Sequence, residues 1–143
     1  MEINYGSILL WFFIAYLIAV LVTSIHNMIN IFIFHMKFDP KNILKCEAYE
    51  KTRPFHALYD IVIFPFCAYF CLQSQTNPDA GTAFIIGLIW LTISMVSDWL
   101  IWVAIKTPAR HTYKEFYIDY QPWLALCYLV TLFSPLVTFL IVR

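Results

Sequence analysis

Four long apolar stretches constrain this chain more than any other feature. The hydrocarbon core of a bilayer takes about 20 residues of helix. Segments 7–35, 54–73, 83–105 and 123–142 all reach that length. Hydrophobic residues make up 62% of the 143 and charged residues only 13%. A soluble domain carries about 25% charged residues, so most of this surface is not built for water. The length suits one domain. Connections 36–53, 74–82 and 106–122 are short, which favours antiparallel neighbours. The expected fold is therefore all-α, a single integral membrane domain arranged as an up-down four-helix transmembrane bundle.

Local signals mark the ends of the spans. Thr52 reads as an N-cap with Pro54 in the first turn, and Pro122 opens the last span. Pro65 and Pro135 fall inside spans, where neighbouring helices can satisfy the carbonyls they free. The first span exceeds the hydrocarbon core at about 1.5 Å per residue, so it should tilt or protrude. No basic stretch precedes it and no small-residue cleavage site ends it, so it is read as a retained helix rather than a signal peptide.

Charge sets the expected orientation. Lys37, Lys41, Lys45, Lys51 and Arg53 lie in the first connection or at its edge, and Lys106, Arg110 and Lys114 in the last. Connection 74–82 has no Lys or Arg, and Arg143 alone falls on its side. The positive-inside rule makes loops 36–53 and 106–122 cytoplasmic and both termini non-cytoplasmic. Trp99, Trp102, Tyr120 and Trp123 then suit an aromatic belt near the cytoplasmic interface. Formal net charge is zero, so nothing recommends a nucleic-acid partner. The expected partners are the bilayer itself and, for so small a chain, further copies or a larger membrane complex. Cys46, Cys67, Cys71 and Cys127 lack metal-finger spacing and read as packed, reduced thiols.

Polar side chains are costly in lipid, so their positions point to function. Thr23, His26, Asn27 and Asn30 form one helical stripe on the first span. His56 and Asp60 share a face of the second span, and Ser94, Ser97 and Asp98 a face of the third. Cys127, Thr131, Ser134 and Thr138 line the fourth. Asp98, Asp60 and His26 come from three spans at similar depth. A buried carboxylate must pair, bind a cation or take up a proton. The natural pairs are His26 with Asp98 and Asp60 with a loop arginine. These residues, with Asn30, His56, Arg53 and Arg110 toward the mouth, are the expected ligand-binding set. Arg53 and Arg110 on one membrane face can clamp an anionic head group.

The segment 110–119 offers a second candidate. If it is helical, His111 and Glu115 are one turn apart and able to hold a metal. Tyr113, Phe116, Tyr117 and Tyr120 interleave with them, which describes an amphipathic helix on the membrane surface equally well.

Three function classes are compatible with these residues. The first is a cytoplasm-facing polar pocket that binds or transports a small polar or amphipathic ligand. The second is a membrane-embedded enzyme acting on a lipid or lipophilic substrate, with histidines as bases or ligands and carboxylates as their partners. The third is an accessory subunit of a larger membrane complex. Bis-histidine haem is disfavoured because His26 is the only histidine well inside a span. The residues specify no cofactor and no catalytic group. The layout is similar to that of the membrane-associated proteins of eicosanoid and glutathione metabolism, with Arg53 and the run Pro108-Ala-Arg110 resembling that family's glutathione-contacting basic residues. That family opens its second helix on an arginine- and asparagine-rich motif, where this chain reads Thr52-Arg-Pro-Phe-His-Ala-Leu-Tyr-Asp60. The resemblance therefore implies a topology and not glutathione binding.

Overall fold

The computed structural model describes residues 3–39, 45–107 and 110–142. Lys41, Pro108 and Arg143 lie outside the described residues. The described chain is helical, without strands: α1 (Tyr5–Phe32), α2 (Glu47–Thr52), α3 (His56–Gln73), α4 (Ala80–Asp98), α5 (Tyr113–Tyr117) and α6 (Trp123–Val142). A 3-10 turn, Arg53–Phe55, joins α2 to α3, and a π-helical turn, Trp99–Ala104, extends α4. Four segments are long and apolar enough to cross a membrane: Tyr5–Phe32, Glu47–Gln73, Ala80–Ala104 and Trp123–Val142.

Side chains set several of these boundaries. Asn4 accepts the Ser7 N–H at the start of α1. At the start of α4 the Asp79 carboxylate accepts both the N–H and the hydroxyl of Thr82, each at 2.7 Å. Such caps satisfy donors that have no partner inside the helix. The first span ends at Phe32, earlier than expected. His35 adopts the left-handed region with φ 52°, and the Met36 N–H turns back onto the Asn30 carbonyl. The second span begins earlier than expected, at Glu47, and the N-cap is Cys46. Thr52 stands at the N-cap position of the 3-10 turn with Pro54 in its first turn, but it is buried and makes no capping bond, its hydroxyl donating to the Ala48 carbonyl. Pro54 has no N–H to offer, and the chain passes it as a 3-10 turn without leaving the helical path.

α6 packs against both α3 and α4, while α1 packs along α3 and only lightly on α4. Close approach depends on small residues. A Cβ on Gly87 would lie 1.9 Å from the Leu132 carbonyl oxygen, so α4 meets α6 backbone to backbone there. Ala15, Cys67, Ala68, Cys71 and Ala83 are fully buried in the same core, around Phe12, Phe64 and Trp90. The Trp90 indole N–H donates 2.9 Å to the Ile8 carbonyl, which satisfies its one polar atom. All four cysteines are free thiols. This core closes toward the α3–α4 turn, where the Asn4 N–H donates to Gln75 Oε1 and the Ser7 and Ser74 hydroxyls share a hydrogen bond. A second, smaller cluster of Val103, Phe116, Tyr120 and Leu124 lies at the other end, near α2 and α5.

Candidate functional site

Between these two clusters the helices part. Because α1 follows α3 and leaves α4 and α6, a cavity of about 610 Å³ opens beside Ala19, Val20 and Thr23. Its far walls come from α3, α4 and α6, and Tyr49, Phe116 and Tyr120 contribute from the α2 and α5 end.

Asp98 stands at its polar centre. The Tyr16 hydroxyl donates to Oδ1 at 2.7 Å and the Tyr128 hydroxyl to Oδ2 at 3.0 Å. The Trp102 indole N–H donates to the Tyr16 oxygen at 3.2 Å, which orients that phenol. The π-helical turn that begins at Trp99 carries Trp102 into this position. Asp60, buried on α3, faces the Cys127 thiol of α6. One turn away, His56 Nδ1 shares a hydrogen bond with the Tyr120 hydroxyl. His56 Nε2 and Asn27 Oδ1 are buried without a hydrogen-bond partner among the described residues.

The structure brings only part of the expected set together. Asp98, Asp60 and His56 line the cavity. His26 does not: its ring shares a hydrogen bond with Tyr59 and packs edge-on against Phe55. The expected His26–Asp98 pair is thus replaced by two tyrosines, and the Asp60–arginine pair by a thiol. Asn30 is also outside, its amide donating to the Ala48 carbonyl at 3.0 Å and to Thr52 Oγ1 at 3.1 Å. The stripe on α1 is wide enough to divide. Thr23 and Asn27, one turn apart, face the cavity, whereas His26 and Asn30 form a parallel row turned toward α2 and α3.

The two arginines hold structure at the mouth. The Arg53 guanidinium lies over the Tyr49 ring at 5.7 Å and the Tyr120 ring at 5.2 Å. Arg110 Nε donates 2.8 Å to the Val103 carbonyl, and the His111 N–H donates 2.7 Å to the Trp102 carbonyl. Both close the end of the π-helical turn. His111 precedes α5, so it shares no helical face with Glu115. Burial pushes the His111 imidazole below its ordinary value, helped by the Arg53 charge. Glu115 completes a capping box with Thr112 and pairs with Lys45 at 2.6 Å. Lys45 first, then the Thr112 bonds, hold its carboxyl down at about 2. Among the described residues no three His, Cys, Asp or Glu side chains converge as a metal site.

Tyr16, Trp102, Tyr128 and Tyr120 are absent from the set read from sequence. Tyr16 carried a signal, since it sits two and three turns before Thr23 and Asn27 on one face of α1. Trp102 and Tyr120, expected in an interfacial belt, instead turn inward to line the cavity. No protein-family model, curated protein or solved structure matches the chain, so the likeness to the eicosanoid and glutathione family stays one of layout alone.

Proposed function

We propose that this chain is a multi-pass membrane protein whose cavity binds a small polar or amphipathic ligand. In this reading the helices form an up-down transmembrane bundle, with both termini non-cytoplasmic and the α2 and α5 end in the cytoplasm. Eight of nine basic residues favour that orientation. Large apolar side chains such as Leu17, Val62 and Ile141 point outward, as a lipid-facing surface requires. The observation that carries the binding reading is the cavity itself. Its volume, about 610 Å³, falls within the ~300–1,000 Å³ of small-molecule sites. Apolar walls with a few convergent polar groups are the usual composition of such sites.

Native mass spectrometry after incubation with a membrane lipid extract tests this reading. Ala19→Trp places an indole in the cavity and leaves the Asp98 side chain itself unchanged. Wild type should retain a small-molecule adduct through detergent exchange, and Ala19→Trp should lose it while remaining folded. Equal occupancy in both proteins, or none in either, would contradict it.

A further inference from the structure

The polar groups of the cavity are rich in acceptors. Each Asp98 oxygen takes one phenol hydrogen, and an ionised carboxylate has about four acceptor sites in all. Asp60 adds a second carboxyl, and Asn27 Oδ1 an acceptor with no partner among the described residues. Among the described residues no lysine or arginine lines the cavity, and Arg53 lies over the Tyr49 and Tyr120 rings at its α2 and α5 end. Tyr16 and Tyr128 reach this acidic centre through their hydroxyls, and Trp102 lines the cavity beside them. Past Asn27 the lining contributed by the end of α1 and the residues after it is Met28, Ile31, Phe32 and Phe38, all apolar.

Charge and shape together select among amphiphiles. A carboxylate, sulfate or phosphate head would meet two carboxyls with no cation among the described lining residues to offset them. A bare metal ion would leave the apolar arm unused. An ammonium head supplies donors and the missing positive charge at once. Resting on the binding reading above, we infer that the occupant is a cationic amphiphile, its ammonium between Asp98 and Asp60 and its chain along Met28, Ile31 and Phe32.

The test uses full-length protein in nanodiscs of zwitterionic lipid, with empty nanodiscs subtracted. The probes are radiolabelled dodecylammonium, dodecanol and dodecanoate. Wild type should bind the ammonium saturably and in preference to both others. Asp98→Asn should weaken the ammonium by about 30-fold and leave the alcohol unchanged. Should Asp98→Asn fail to fold, Asp60→Asn reads the same preference from the opposite wall. Equal binding of ammonium and alcohol, insensitive to either substitution, would overturn the cationic head while leaving a ligand cavity in place. Preference for dodecanoate would overturn it too. Saturable binding of none of the probes, with Ala19→Trp indistinguishable from wild type, would defeat the binding reading along with it.

Discussion

The two ends of this molecule use similar residues in opposite ways. Toward the α3–α4 turn, Trp90, Phe12 and Phe64 interlock around small residues, and the one indole N–H is spent on a backbone carbonyl. Toward α2 and α5, Trp102, Tyr16 and Tyr128 surround a carboxylate and leave space between the helices. Aromatic residues therefore fill one end and frame the other. The difference lies in what separates the backbones. At Gly87 no side chain intervenes and α4 touches α6. At Asp98 two phenols reach the carboxylate from α1 and α6 beside the cavity. The closed end is filled, and the open end leaves the cavity for which a ligand is proposed.

Substitutions at each end should separate these roles, and the largest effect is expected in the closed core. Trp90→Ala should cost about 3–5 kcal/mol by leaving an apolar void, read as a lower unfolding temperature in mild detergent, with any surviving folded protein still binding dodecylammonium. Stability within about 1 kcal/mol of wild type would refute a closed core at that end. Gly87→Ala should cost about 3 kcal/mol, because the new methyl must displace the Leu132 backbone. An unfolding temperature equal to wild type would show that α4 and α6 are not in backbone contact.

The open end should respond more weakly in stability and more strongly in binding. Tyr128→Phe removes one donor to Asp98 and should cost about 1 kcal/mol. The same variant should change the affinity for the ammonium probe, which a merely structural tyrosine would not do. The smallest effect belongs to the exposed Lys45–Glu115 pair, worth about 0.2–1 kcal/mol. The Glu115 carboxyl is lowered from 4.5 to about 2 by Lys45 and Thr112. Its contribution is therefore complete above about pH 4.5 and fades as pH falls toward about 2. Glu115→Gln should lower the unfolding temperature slightly at pH 7 and not at pH 2. A larger loss at pH 2 than at pH 7 would contradict the sign.

Much of the helical layout was legible in the sequence because apolar length is a local property. The last span, 123–142, matches α6 to the residue, since Pro122 marks its start. The second span was cut short because Thr52-Arg-Pro54 resembles a helix start, whereas contacts to Asn30 and Ala48 bury Thr52 inside the helical path. Within the candidate site, Asp98 and Asp60 stood out as charges in apolar runs. Tyr16 and Tyr128 did not, because tyrosine blends into an apolar span, and Cys127 showed only as one member of the fourth-span stripe. Only the packing of α1 along α3 decides that Asn27 faces the cavity and that Asn30 faces α2.

The most direct test of an open cavity beside a closed core is the thiol reactivity of its two ends. Thr23→Cys puts a thiol on the cavity wall, and the native Cys67 and Cys71 sit in the core. Membranes opened to both faces would be treated with a small cationic methanethiosulfonate, and the modified positions read by peptide mass spectrometry. Modification at position 23 with Cys67 and Cys71 untouched is the predicted result. Protection of position 23 equal to that of Cys67 and Cys71 would contradict the cavity and the function proposed for it.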